Sequence, residues 1–230
     1  MKKTFFITGT DTDAGKTLVS AGLLHHANEL GLRTIGLKPV AAGCEDHGEG
    51  LRNSDALILQ ATASVQLPYQ QVNPIALAEP MAPHLAAQRE ERRLSADRIA
   101  AFCRGALMQP ADFALVEGAG GWRVPLSSRE MLSRVPQLME LPVILVVGMK
   151  LGCISHALLT AEAISRDGLQ LAGWVANVVD PEMAVLQENI DTLKGALHAP
   201  LLGVVPHLSD PSPEQVAAHL DLSAIEVFKK

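Results

Sequence analysis

The sequence predicts a doubly wound α/β fold, with a mainly parallel sheet and helices on both faces. Three observations predict it. Short runs rich in Val, Ile and Leu alternate with longer stretches of helical period. The runs are apolar on both faces, as strands of a covered parallel sheet are. A glycine-containing loop separates the first run from the first helical stretch, where open α/β sheets collect ligands.

The elements follow in order. "TFFIT" (Thr4–Thr8) reads as a strand rather than a leader core, because its apolar run is short and Gly9 and Asp11 follow at once. From Thr17 to Leu30, apolar residues at Leu18, Ala21, Leu24, Ala27 and Leu30 give a helix period, and Gly31 stops it. "RTIGLKPV" (Arg33–Val40) is a second strand whose regular part ends at Pro39. Further strands are read at Phe113–Gly118, Pro142–Gly148, Leu171–Val179 and Ala199–Pro206. Helical stretches lie near Ser95–Leu107, Ser155–Asp167 and Ala184–Leu197. The mixed-sign run "REERR" (Arg89–Arg93) is expected to be a solvated loop or helix lead-in. A last short helix opens with Pro213 in its first turn.

The 230 residues, 48% hydrophobic, suit a single domain over 1–230. Aromatics are only 3%, so the core rests on Leu, Val, Ile and Ala. A formal net charge of −6 argues against a nucleic-acid partner. No run reaches the ~18 apolar residues of a membrane span. Cys44, Cys103 and Cys153 form no C-x-x-C pair, which suits free thiols in a reducing, cytoplasmic setting.

The chemistry concentrates after strands. "GTDTDAGKT" (Gly9–Thr17) follows a strand and opens a helix, the context of a phosphate-binding loop, so the fold is expected to be P-loop NTPase-like. Its first glycine is one residue early for G-x-x-x-x-G-K-[ST], so the loop is long. Lys16 would reach the terminal phosphates and Thr17 would hold Mg²⁺. Glu117 ends a strand and precedes "GAGG" (Gly118–Gly121), where a second acid meets the metal; a tight turn with a solvent-facing Glu117 is the alternative. Asp55 begins a helical pattern, and a first-turn dipole partner is its simplest reading. Lys38 is unusual inside an apolar strand: it either snorkels to the surface or points at an anion in the strand-end crevice.

These stretches, with "GLKPVAAG", "EGLRNSDAL", "VNPIALAEPMAPHLAA", "VEGAGGW", "LPVILVVGMKLGCISHALLT", "GWVANVV" and "APLLGVVPHL", resemble the dethiobiotin synthetases in the same order over nearly the whole chain. The long loop is that family's form. The resemblance implies an ATP-dependent cyclo-ligase that joins 7,8-diaminononanoate and CO₂ through a carbamate and a carbamic–phosphoric mixed anhydride. It implies Lys38 and Lys16 as catalytic groups. It places Asp13, Ala14, Gly15, Lys16, Thr17 and Leu18 around the ATP phosphates, with Gly118, Ala119 and Gly120 nearby, and Mg²⁺ on Thr17, Asp55 and Glu117. Asn177, Val178, Pro206, His207, Leu208 and Glu214 would form the base pocket. Thr12, Ala42 and Gly120 would face the diamine. Leu151, Gly152, Cys153 and Ser155, at a helix start of a second subunit, would hold the substrate carboxylate, so a homodimer is implied.

The chain departs from the family pattern in three places. Ala42 stands where relatives carry a substrate-contacting serine, Ser155 where some carry asparagine, and Pro136 should break or restart a helix. Two other readings stay open: a divergent paralogue with altered substrate, and a switch ATPase of the partitioning kind. The latter carry a signature lysine where this chain has Asp11.

Overall fold

The computed structural model describes residues 3–46 and 48–225. In chain order the elements are β1 (Lys3–Gly9), α1 (Lys16–Glu29), β2 (Thr34–Leu37), β3 (Val40–Ala42), β4 (Glu45–Asp46), β5 (Leu51–Arg52), α2 (Ser54–Thr62), α3 (Tyr69–Val72), β6 (Ile75–Leu77), α4 (Pro83–Arg89), α5 (Ala96–Ala106), β7 (Phe113–Glu117), α6 (Arg134–Met139), β8 (Val143–Met149), α7 (Cys153–Arg166), β9 (Leu171–Val178), α8 (Leu186–Ala196), β10 (Leu201–Val205) and α9 (Pro213–Ala217), followed by a 3₁₀ turn at Leu222–Ala224.

Six strands form one parallel sheet in the order β10-β9-β8-β1-β7-β2. The order reverses around β1, so the crevice beside its carboxyl end is the switch point of the sheet, and the phosphate-loop sequence leaves β1 there. β7 and β8 are buried at every position, as the apolar runs required. One core lies between the sheet and α1, with Phe5, Ile7, Leu23, Leu24 and Leu115. Another lies on the opposite face around Phe6, Val116, Ile99 and Trp122. Such packing on both faces is what makes a parallel sheet stable.

The second strand differs from the expected Arg33–Val40. It stops at Leu37, because Pro39 has no N–H to continue the ladder. The Lys38 N–H turns to the Val72 carbonyl (2.9 Å), and Val40–Ala42 pairs instead with Ile75–Leu77 in a separate small sheet. α7 begins at Cys153, two residues before the expected Ser155, behind Gly152 in the left-handed region. Pro136 sits in the first turn of α6, where its missing N–H costs nothing, so it starts a short helix. "REERR" closes α4 and forms an exposed turn before α5. Pro213 opens α9, capped by a reciprocal Ser212–Gln215 pair. No described helix is long and apolar enough to cross a membrane.

α9 packs closely on α1 at Gly22, where an added Cβ would lie 2.5 Å from Val216 Cγ1 and 3.0 Å from Leu220 Cδ1. Gly22→Ala should therefore destabilise by about 1–3 kcal/mol through overpacking, read as a lower urea midpoint with an unchanged m-value.

Candidate active site

The loop from Thr10 to Gly15 leaves β1 and turns into α1. Asp13 (φ 62°) and Gly15 (φ 87°) both adopt left-handed backbone. Aspartate is one of the few side-chain-bearing residues that enter this region readily, which accounts for an acid at position 13 in a loop shaped for anions. At Gly15 a Cβ would lie 2.0 Å from Asn177 Nδ2, so the position excludes any side chain. Asn177, on β9, donates Nδ2 to the Ala14 carbonyl (3.0 Å) and holds the loop from the side. Ala14 is itself wholly buried in the core and does not line the cavity above this loop. Lys16 Nζ donates to the Asp11 carbonyl (3.1 Å). The Asp11 carboxylate pairs with Lys150 Nζ (2.6 Å), just past β8.

Around Lys16 the strand ends bring three further charges together. Glu117, last in β7, is fully buried (0% exposed), which rules out the solvent-facing alternative. Lys38 is 4% exposed and does not snorkel to the surface. Its Nζ lies 2.6 Å from Glu117 Oε1 and 3.0 Å from Asp55 Oδ2, and donates to the Gly118 carbonyl (3.3 Å). Thr17 Oγ1 donates to the same Glu117 Oε1 (2.8 Å). Asp55 is in the first turn of α2, whose N-cap is Asn53 accepting from the Ala56 N–H (3.2 Å). The acid thus both complements the helix dipole and reaches the lysine.

Burial pulls the Lys38 pKa down, but attraction from Glu117 and Asp55 outweighs it and holds the pKa above the ordinary lysine value. Among the described residues, Lys16 has no such carboxylate within hydrogen-bond reach. Burial, and then repulsion from Lys38, lower its pKa despite more distant acids.

Thr17, Asp55 and Glu117 offer only oxygen donors, the set a hard divalent cation takes. Glu117 Oε2 is buried without a hydrogen-bond partner among the described residues, and the Lys38 ammonium is the cation holding the acids together. No cluster of three or more His, Cys, Asp or Glu ligands exists among the described residues. These residues fit Mg²⁺ sharing its shell with phosphate oxygens and water.

A cavity of about 730 Å³ opens over this group. Of the expected site residues, Thr12, Asp13, Gly15, Lys16, Thr17, Leu18, Lys38, Ala42, Asp55, Ala119 and Gly120 line it. Glu117 lies behind, and the Gly118 carbonyl is turned to Lys38. Asn177, Val178, Pro206, His207, Leu208 and Glu214 are outside the cavity lining. Asn177 pairs in register with Val205, so Pro206 and its followers stand beside it at the same sheet edge. The Val178 side chain is in the core. Leu151, Gly152, Cys153 and Ser155 open α7 and do not line this chain's cavity; Leu151 is 95% exposed. The sequence reading missed Asn53, the Pro80–Pro83 wall and the Arg123–Pro125 wall. The usable signals were an N-cap asparagine and two prolines between short elements.

The chain is 63% identical to the ATP-dependent dethiobiotin synthetase BioD of Cellvibrio japonicus over 97% of this chain and 98% of the relative. It is 58% identical to the same enzyme of Pseudomonas aeruginosa PAO1, with the same coverage. The chain belongs to the dethiobiotin synthetase family. Residues 3–215 also match the family model described as an AAA domain. Among solved structures, the septum site-determining protein MinD of Pyrococcus horikoshii OT3, complexed with Mg-ADP, aligns with a TM-score of 0.57. It covers 96% of this chain and 87% of that one at 16% identity, a likeness of fold. The signal recognition particle receptor FtsY of Elizabethkingia anophelis, in complex with GDP, gives the same TM-score at 14% identity, covering 100% and 65%. This synthetase-family chain is thus P-loop NTPase-like in fold, with Asp11 paired to Lys150 at the point where switch ATPases would place a lysine.

Lys38→Met should lower unfolding stability by about 3–5 kcal/mol, because it strands the Glu117 carboxylate. Adding Glu117→Gln should recover part of the loss in a double-mutant cycle. A lysine with a raised folded-state pKa stabilises fully below the ordinary lysine value of 10.5 and loses this only as pH rises through the higher folded value. The stability difference between the unchanged protein and the Lys38→Met/Glu117→Gln double variant, which strands no acid, should therefore stay flat from about pH 6 to 9 in urea titrations.

Proposed function

We propose that this chain catalyses ATP-dependent closure of a ureido ring on 7,8-diaminononanoate, giving dethiobiotin, ADP and phosphate. The observation that carries the reading is the Lys16–Thr17 loop meeting the Lys38–Glu117–Asp55 group, with Lys38 and Glu117 buried, beneath one cavity, in a chain of this family. One substrate amine adds CO₂ and loses a proton, giving a carbamate. A carbamate oxygen attacks the γ-phosphorus, and the bond to the bridging oxygen breaks, releasing ADP. The second amine then attacks the carbamic carbon, loses a proton, and phosphate leaves.

The protein's part is placement and charge. The N–H groups of Asp13–Leu18 and the start of α1 wrap the phosphates. Lys16 exchanges the Asp11 carbonyl for the β- and γ-phosphates. Lys38 neutralises charge on the carbamate and on the transferring phosphoryl group. Thr12, Ala42 and Gly120 border the diamine. Mg²⁺, held by Thr17, Asp55 and Glu117, would supply charge neutralisation on the phosphates. Asn177, Val178 through its backbone, Pro206, His207 and Leu208 form the base site, supported by their common place at the carboxyl ends of β9 and β10, and Glu214, in the first turn of α9, completes it.

A second copy of the chain completes the site. Leu151, in the turn before α7, and Leu158 and Leu159 on α7 are exposed, apolar surface suited to burial in a dimer. There Leu151, Gly152, Cys153 and Ser155 would hold the substrate carboxylate of the neighbouring subunit. We read residues 1–230 as one domain and its setting as cytoplasmic, in line with three buried free cysteines.

The purified protein should release ADP only when the diamine and bicarbonate are both present, and should restore growth of a biotin-requiring strain lacking this step. ADP release indifferent to the diamine would exclude the synthetase reading. Leu159→Asp, on the exposed α7 face, is expected to convert dimer to monomer in sedimentation and to lose turnover in parallel; a fully active monomer would remove the shared site.

A further inference from the structure

The loop after Glu117 is the loosest wall of the cavity by composition. Residues 118–121 read Gly-Ala-Gly-Gly, and Gly120 sits at φ 62°. Such a segment keeps a definite shape only if held from outside. The next two residues do this. Trp122 is buried and meets Phe6 of β1 edge-on, with ring centroids 6.0 Å apart at 81°. Its Nε1–H donates to Asp167 Oδ2 at 2.9 Å. Arg123 donates Nη1 to Asp167 Oδ2 (2.6 Å) and Nη2 to Asp167 Oδ1 (2.9 Å), and Nη1 also to Ser133 Oγ (3.1 Å). One carboxylate therefore accepts three hydrogen bonds from two consecutive loop residues.

Asp167 is the C-cap of α7, where a negative charge opposes the helix dipole. The helix does not account for an acid there; the clamp does. The Asp167 side chain is 13% exposed, so the pair is shielded from solvent on its acidic side. Arg123 lines the cavity, which already holds Lys16 and Lys38. Without Asp167 the guanidinium of a residue that lines the cavity beside Lys16 and Lys38 would lose its counter-charge.

We propose that Asp167 is a positioning and specificity-determining residue. It fixes the loop of residues 118–123, and it neutralises Arg123 so that the cavity admits a substrate carrying protonated amines. Like charges brought together on binding cost affinity, and the diamine is the cationic ligand of this site. The second half of the proposal rests on the diamine reading above; the first half does not.

The experiment compares the unchanged protein with Asp167→Asn, Asp167→Ala, Arg123→Leu and the Asp167→Asn/Arg123→Leu double variant. Diamine-dependent ADP release by the unchanged protein is measured first, and its absence removes the diamine reading while leaving the loop clamp to be read by fluorescence. Trp122 reports on the clamp, because the other tryptophan, Trp174, is fully buried in β9. Asp167→Ala should increase acrylamide quenching of Trp122. Asp167→Asn should raise KM for the diamine about tenfold while KM for ATP changes less than about twofold. That increase should be absent when Asp167→Asn is made on Arg123→Leu. Unchanged Trp122 quenching in Asp167→Ala overturns the clamp. Equal rises in both KM values, or a diamine effect that persists on Arg123→Leu, overturn the neutralising role. A general loss of kcat in step with the thermal midpoint would likewise mark Asp167 as merely structural.

Discussion

The site hangs on the Lys38 ammonium lying between Glu117 and Asp55. Glu117 is wholly buried at the end of a central strand, and an unpaired carboxylate there would be costly. The lysine supplies the charge. In doing so it joins the end of β2, the first turn of α2 and the end of β7, elements separated by tens of residues. Thr17 is drawn into the same point by its bond to Glu117. Pro39 serves this geometry: by ending β2 it lets the chain leave the sheet immediately after Lys38. Asn73 then takes the freed Lys38 carbonyl at 2.6 Å, with its own Oδ1 accepting from the Tyr69 hydroxyl (3.0 Å).

The phosphate loop is mounted with the same economy. Asn177 braces it from β9, and Lys150 ties Asp11 to the segment leading into α7. The Asp11 carbonyl meanwhile occupies Lys16. Lys16, Thr17, Lys38, Asp55 and one Glu117 oxygen, which a nucleotide and metal would use, are thus each engaged by another protein group. A ligand that takes these groups exchanges partners rather than desolvating bare charges. Such preorganisation is how a site whose chemistry is mainly positioning and charge neutralisation gains its rate.

The walls come from less regular structure. The small β3–β6 sheet sets Ala41 and Ala42 at the cavity, and the turn before α4 supplies Pro80–Pro83. On the opposite side the glycine-rich loop after β7 is braced by Trp122 and Arg123 against the far end of α7. α7 consequently touches this chain's own cavity wall through its C-cap, while its N-terminus and exposed leucines do not line that cavity.

The sequence by itself determined the parallel sheet, its main helices and the phosphate loop, because these rest on local signals. Continuous apolar runs, a 3.6-residue period and a strand–loop–helix junction are written in neighbouring residues. It also marked Lys38 and Glu117 as odd: one a charge inside an apolar strand, the other a carboxylate at a strand end. Only the tertiary structure decided that these two oddities answer each other, since they lie 79 residues apart and meet through the strand order. The same holds for the three-residue strands β3 and β6, too short to show a period and defined solely by pairing with each other. It holds for Asp13, whose acid is explained by a backbone angle, and for Asp167, whose partners are 44 and 45 residues away. Charges and short strands take their meaning from what they touch, and contacts of that range are settled by packing rather than by local pattern.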